Sequence, residues 1–368
     1  MNRFIPVSEP SITQREVDYV LQAVKSGWVS SLGQFIDRFE RAFAEYIGVS
    51  YAVTTSNGTT ALHLALVSLG IGRGDEVIIP DLTFVATANA VAYTGAKPVP
   101  VDIDRETWCI DPESIRKALT PKTKAIIPVH VYGHPAEMER IAELAEAAGL
   151  YVIEDAAEAH GSEYKGEKVG GLGNCGVFSF YGNKVMTTGE GGMITTNDKQ
   201  IYERAKYLRD QAMSQEKRYW HTEVGFNYRM TNIQAALGLA QLERIEELIG
   251  KKREIYGWYE RFLGNMENIR LNPERSGVRN IFWMVCLVLE KDTGISRNDL
   301  MDKLKARGID TRPFFHPISQ MPMYQGGPVN SVASEISEKG LNLPSGVILE
   351  KEDIRWITSQ IKRILRVG

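Results

Sequence analysis

The chain has 368 residues, 43% hydrophobic and 24% charged, and its 43 basic and 46 acidic side chains leave a net charge of −3. So small a net charge gives no electrostatic footprint for nucleic acid or an anionic membrane surface, and no apolar run approaches the roughly 20 residues of a membrane span. Three scattered cysteines (Cys109, Cys175, Cys286) without a C-x-x-C pair argue against disulfides or a zinc site, and the opening MNRFIPVSEP lacks the apolar region of a secretory signal, so a cytoplasmic protein is expected.

Residues 1–15 read as an arm, because Pro6 and Pro10 block regular structure. Over 13–26, Val17, Val20, Leu21 and Val24 recur at helical spacing, and over 34–48 Phe35, Phe39, Phe43 and Ile47 form a second stripe. Short β-rich runs then alternate with helical stretches: YAVTTS, DEVIIP, KPVPVDI, KAIIPVHVYG, LYVIEDAA, GVFSFYG and GGMITTN, with helices predicted after several of them, one near 86–94. This βαβ rhythm predicts an α/β fold around a mostly parallel sheet covered on both faces. A helix is predicted over 232–249 and a long charged helix after it. From about Asn268 a strand (NIFWMVCLVLE), a helix (SRNDLMDKLKARG) and a closing helix (KEDIRWITSQIKRILRV) predict a smaller α+β domain. The expected division is an arm over 1–15, a large domain over 16–245 and a small domain over 246–368.

In open α/β sheets ligands sit beyond the carboxyl ends of the strands. After YAVTTS, Ser56-Asn57-Gly58-Thr59-Thr60 opens an apolar helix, which suits either a phosphate cradle or a plain N-cap. After DEVIIP, Phe84 either stacks on a planar ligand or fills core. After LYVIE comes Asp155, a carboxylate needing a partner: a structural arginine, a metal or a protonated ring nitrogen. Glu158 and His160 stand nearby, but without H-E-x-x-H spacing. After GVFSF come Ser179 and Lys184, and a lysine in such a cleft is a candidate nucleophile. Gly171-Leu172-Gly173-Asn174-Cys175-Gly176 has dinucleotide-fingerprint spacing, yet polar EYKGEKV precedes it and a strand-like run follows, so a glycine-rich turn is expected. Together, a phosphate cradle, a stacking aromatic, a strand-end aspartate and a strand-end lysine are what pyridoxal phosphate requires.

The stretches SNGTTALHLAL, GDEVIIP, IEDAAEAHGS, SFYGNKVMTTGEGGM and GFNYRMTNIQAALGLAQLE resemble the pyridoxal-phosphate nucleotide-sugar aminotransferases of the DegT/StrS type, over nearly the whole chain. The resemblance implies the aspartate aminotransferase fold. Within the family, SGWVSSLGQFI, FSFYGNK, RYWHTEVGFNYRM, TRPFFHPISQMPMY and LNLPS are most similar to members that move an amino group from glutamate to C4 of GDP-4-keto-6-deoxymannose. The resemblance implies that Lys184 carries the cofactor and shuttles the proton. It implies that Asp155 pairs with the pyridinium nitrogen, that Phe84 stacks on the ring, and that Gly58, Thr59 and Ser179 hold the phosphate. Glu158 stands where relatives often carry glutamine or histidine near the ring hydroxyl, so its role is open. Asn227 matches an asparagine that reaches the phosphate of the partner subunit's cofactor, which implies a homodimer. Arg229 is a candidate for the nucleotide's anionic part or the donor carboxylate, and Arg312, His316, Trp28 and Ser30 for the sugar-nucleotide cleft. Read from the residues alone, Arg229 equally suits an interface ion pair and His316 a packed loop. His63 suits a satisfied core histidine, and Trp220 and Trp283 suit core or interface. The rival activities are transfer to a UDP- or dTDP-linked keto sugar and dehydration of a deoxysugar, where relatives carry histidine in place of the lysine. A non-catalytic nucleotide-sugar sensor is a third rival, disfavoured by the joint presence of Lys184 and Asp155.

Overall fold

The computed structural model describes residues 4–290, 293–326 and 329–367, so residues 1–3 of the expected arm and 291–292, 327–328 and 368 of the expected small domain lie outside the described residues. The rest of the arm is strapped down: the Ile5 amide donates to Gly308 (2.8 Å) and its carbonyl accepts from Asp310 (2.9 Å).

Helices α1 (Gln14–Lys25) and α2 (Gln34–Ile47) fall where their apolar spacing puts them. Thr13 and Glu16 close a capping box at the start of α1. Phe35, Phe39, Phe43 and Ile47 of α2 are buried, each such side chain contributing about 1.5–3 kcal/mol. Phe43 meets Phe178 edge-on (4.9 Å) and Phe180 (5.4 Å), packing α2 against the strand that leads to Lys184.

The alternating region is β1 (Tyr51–Thr55), α3 (Gly58–Ser68), β2 (Glu76–Pro80), α4 (Ala86–Tyr93), β3 (Lys97–Val101), α5 (Pro112–Ala118), β4 (Thr123–Ile126), α6 (Met138–Ala148) and β5 (Tyr151–Asp155). The hairpin β6 (Glu163–Tyr164) and β7 (Glu167–Lys168) follows, then β8 (Cys175–Ser179), β9 (Gly192–Thr196) and α7 (Lys199–Arg209). The seven-stranded sheet has the order β1-β9-β8-β5-β4-β2-β3. It is parallel except at β9, which runs antiparallel to both β1 and β8. No helix separates β8 from β9, so the chain returns antiparallel without a crossover, and Lys184 sits in that return. Two apolar layers flank the sheet, one containing Phe39, Phe43, Ile141 and Phe178, the other Leu62, Leu64, Val91 and Leu208. The expected strand KAIIPVHVYG is cut short at Ile126, and the chain instead turns through Tyr132 at φ 53°.

The helix expected over 232–249 is two, α8 (Asn232–Leu242) and α9 (Ile245–Leu263). The break at Arg244 sets its guanidinium against the buried Glu16 (3.0 Å) and against Glu247 (2.6 Å). Beyond it lie β10 (Ile269–Leu271), β11 (Val278–Arg279), β12 (Val285–Leu289), α10 (Arg297–Lys305), β13 (Arg312–Pro313), α11 (Ser331–Lys339), β14 (Gly340–Leu343) and α12 (Lys351–Val367). A second, antiparallel sheet, β10-β12-β14-β13, packs with α9 and α12 around Tyr259, Leu287, Leu343 and Ile357.

Candidate active site

The strand ends β1, β5 and β8 meet at one cleft of about 740 Å³. It brings together Gly58, Thr59, Phe84, Asp155, Glu158, Ser179 and Lys184. At its floor Asn57 caps α3, its Oδ1 accepting from the Thr60 amide (2.9 Å). The next amides, of Gly58 and Thr59, belong to the first turn, where a helix has no carbonyl of its own to offer. A Cβ at Gly58 would lie 2.9 Å from Ser179 Cβ, so this approach of α3 to β8 needs glycine.

Asp155 is the last residue of β5 and is buried. Its Oδ2 accepts from the Thr87 hydroxyl (2.8 Å) and its Oδ1 from the Ala157 amide (3.2 Å). Burial pushes its pKa up, against the opposing pull of Thr87, Ala157 and Lys184. Thr87 lies in the first turn of α4 and is itself paired with the Thr83 hydroxyl (3.1 Å).

Lys184 lies in the β8–β9 return with 11% of its side chain exposed. Its Nζ lies 3.6 Å from Glu158 Oε1 and 3.9 Å from the centre of the Trp283 ring. Burial lowers its pKa, with Glu158 and Asp155 opposing. Glu158 Oε2 accepts from the Tyr132 amide (2.8 Å). Burial raises the Glu158 pKa from 4.5 to about 7, against the pull of Lys184. Because the folded chain keeps this proton to higher pH than the unfolded chain does, the group's contribution to stability is present below pH 4.5 and lost as pH rises through about 7. Glu158→Gln is therefore expected to flatten the melting profile between those pH values in the cofactor-free chain. Parallel pH slopes for the two proteins would show an unperturbed glutamate.

A second cleft of about 700 Å³ adjoins the first through Phe84, Tyr181, Asn183, Trp283 and Phe315, and it is lined by Arg312 and His316. Arg312 is paired with Asp310. Trp28, Ser30, Asn227 and Arg229 line neither cleft of this chain. The carbonyls of Trp28 and Ser30 accept from Asn232 (2.7 and 2.6 Å), while the Trp28 side chain is 57% exposed. Arg229 donates to Asn227 (3.1 Å) and pairs with Asp210 (2.8 Å). The backbone of Trp28 and Ser30 is committed to the start of α8.

His63 is buried and bonded to the Tyr228 hydroxyl (3.1 Å). Trp220 is not core but half exposed, with Lys217 over its ring. Trp283 is buried as expected, yet it is also the wall that faces Lys184. Sequence reasoning gave Trp283 a core or interface place but not its position facing Lys184, and it passed over Thr87 and Tyr132. Thr87 had a signal, four residues after Thr83 on a helix opening beyond β2; the other two come from distant segments without one.

The residues present fit pyridoxal phosphate. Gly58, Thr59 and Ser179 line one end of the cleft, where a Cβ at Gly58 would crowd the Ser179 side chain, the Lys184 amine stands in the same cleft, and the buried Asp155 carboxylate, with two donors, can accept a third.

A profile of the DegT/DnrJ/EryC1/StrS aminotransferase family matches residues 10–362. The chain is 47% identical over 360 residues to GDP-perosamine synthase of Escherichia coli O157:H7, with 98% of each chain covered. It is 47% identical over 364 residues to GDP-perosamine synthase of Caulobacter vibrioides, again with 98% of each covered. Among solved structures, the aminotransferase TlmJ from Streptoalloteichus hindustanus matches with a TM-score of 0.94 at 31% identity, covering 99% of both chains. The aminotransferase from Psychrobacter cryohalolentis matches with a TM-score of 0.93 at 33% identity, also covering 99% of both. A profile match over nearly the whole length, carried by a fold shared with solved aminotransferases, leaves one conclusion: the chain belongs to the DegT/DnrJ/EryC1/StrS aminotransferase family.

Proposed function

We propose that the chain transfers the amino group of L-glutamate to C4 of GDP-4-keto-6-deoxy-D-mannose, giving 2-oxoglutarate and GDP-perosamine. The observation that carries this reading is the Lys184 amine sharing one cleft with Asp155 and the Gly58–Ser179 cradle. Full-length identity to two relatives named GDP-perosamine synthase supports the choice of substrate.

When bound, pyridoxal phosphate supplies a ring that accepts the electrons of the carbon being deprotonated. The chain does the rest. The Gly58 and Thr59 amides and the Ser179 hydroxyl hold the phosphate, and Phe84 covers a ring face. Asp155, oriented by Thr87 and Ala157, holds a proton at the ring nitrogen. Lys184 Nζ takes the proton from the donor's α-carbon, and in the second half reaction the same nitrogen delivers one to C4 of the sugar. Arg312 and His316, in the adjoining cleft, bind the nucleotide end of the substrate. Asn227, Arg229, Trp28 and Ser30, outside this chain's clefts, serve a second copy in a homodimer, with Asn227 at the partner's cofactor phosphate. Among the described residues no helix is long and apolar enough to cross a membrane.

Purified protein is to be incubated with glutamate and GDP-, UDP- or dTDP-linked 4-keto-6-deoxy sugars, and the amino sugar followed by mass. Turnover of the GDP sugar well above the others is expected. Preference for a UDP or dTDP sugar would overturn the specificity, and failure to bind pyridoxal phosphate would overturn the activity itself.

A further inference from the structure

Trp283 comes from outside the sheet that builds the cofactor site, just ahead of β12. It is 4% exposed and held from several sides. Its Nε1 donates to the Asn183 carbonyl (2.8 Å), beside Lys184 in the chain. Its own carbonyl accepts from Lys252 Nζ (2.8 Å), which also donates to the Ser345 carbonyl (2.7 Å). Tyr132 stacks alongside, with planes 13° apart. The indole therefore has one fixed orientation, and in it the ring face is turned to Lys184 Nζ at 3.9 Å.

A buried ammonium needs compensation. Here it has Glu158 Oε1 at 3.6 Å, beyond good hydrogen-bond range. An aromatic face at cation–π distance supplies the remainder. The choice of group matters. A second carboxylate at that position would accept the proton, whereas an indole face stabilises the charge and cannot take the proton away.

We propose that Trp283, with Glu158, is the receiving site for the Lys184 ammonium whenever Nζ is not bonded to the cofactor, and that the indole sets how tightly that nitrogen holds its proton. This rests on the reading of Lys184 as the cofactor-bearing, proton-moving lysine. The other groups acting on Nζ are Asp155 and Glu158, which favour its charged form, and His160, which is packed between Phe178 and Phe180 and held neutral by burial with its pKa at about 3. None of them hydrogen-bonds the Trp283 side chain, whose indole N–H goes to the Asn183 carbonyl; the one link among the described residues is Tyr132, which stacks on the indole and donates its amide to Glu158.

The test is the titration of Lys184 in the full-length, cofactor-free chain, read as its acetylation rate against pH by peptide mass mapping. Trp283→Leu is expected to lower the Lys184 pKa by about 0.4–1.5 units, a roughly 2- to 30-fold rise in neutral amine at a given lower pH. Trp283→Phe shifts it in the same direction by less, because a phenyl face is the weaker cation binder. In the loaded enzyme the acid limb of the pH–rate profile moves to lower pH with it, whereas general structural damage lowers kcat without moving the limb. An unchanged Lys184 titration in Trp283→Phe and Trp283→Leu overturns the proposal. If the leucine variant fails to fold, the phenylalanine variant decides. Failure of the wild type to bind pyridoxal phosphate is a separate result, which removes the proposed activity and leaves the titration readable.

Discussion

Lys184→Ala and Asp155→Ala are both expected to abolish amino transfer, with different signatures. The alanine at 184 removes the one lysine among the described residues that line the cleft, so the absorbance of covalently attached cofactor is lost. Proton transfer is lost with it, a factor of about 10²–10⁴. The alanine at 155 leaves the amine untouched, so covalent attachment persists. What disappears is the charge opposite the ring nitrogen, and removal of a preorganised electrostatic partner costs roughly 10²–10³ in rate. Stability should move the other way. Burial holds the Asp155 pKa above its ordinary value, so the ionised carboxylate weakens the cofactor-free fold as pH rises. Asp155→Asn keeps an acceptor for the Thr87 hydroxyl and is expected to melt no lower than wild type above neutral pH. Single-turnover absorbance with glutamate and a melting curve give both readings. Normal turnover in Asp155→Ala would remove this residue from the chemistry.

The parts of the site that were legible in the sequence are those written by local pattern. Asp155 and Lys184 stand out because each follows an apolar run short enough to be a buried strand, and ligands gather at such ends. The α2 stripe of Phe35, Phe39, Phe43 and Ile47 is equally local. The parts that were not legible depend on meetings between distant segments. Trp283 reaches Lys184 from the second sheet, and Tyr132 presents its amide to Glu158 from a left-handed turn that favours no aromatic residue. The reversal of β9 follows from a missing crossover helix rather than from any residue in β9 itself. Trp28 and Arg229 line neither cleft of this chain, and no local pattern in their stretches marks that separation.

The glycine-rich turn with dinucleotide spacing does bind an anion, but an internal one. The amides of Gly170, Leu172 and Gly173 each donate at 2.7 Å to the carboxylate of Glu154. The His130 Nε2–H donates to the same group at 3.0 Å, its tautomer fixed because Nδ1 accepts from the Ala136 amide (3.0 Å). The close packing needs glycine: Gly170 has φ 87°, and a Cβ there would lie 2.3 Å from the Phe178 ring. Glu154 precedes Asp155 on β5, and alternation sends the two side chains to opposite faces of the sheet. One carboxylate thus anchors the strand end that presents the other. Glu154→Leu would strand three amides and an imidazole N–H in the interior, at about 1–3 kcal/mol each, which is a large share of the 5–15 kcal/mol that holds a typical domain together. That variant is expected to be unfolded or insoluble. Glu154→Gln keeps one acceptor oxygen but turns an NH₂ toward the remaining donors, a loss of roughly 1.5–3 kcal/mol for each hydrogen bond to the charged group that is broken. It is expected to fold with a clearly lowered urea midpoint. If Glu154→Leu instead unfolds at the wild-type urea concentration, the turn is held by the packing around Phe178 and not by the carboxylate it encloses.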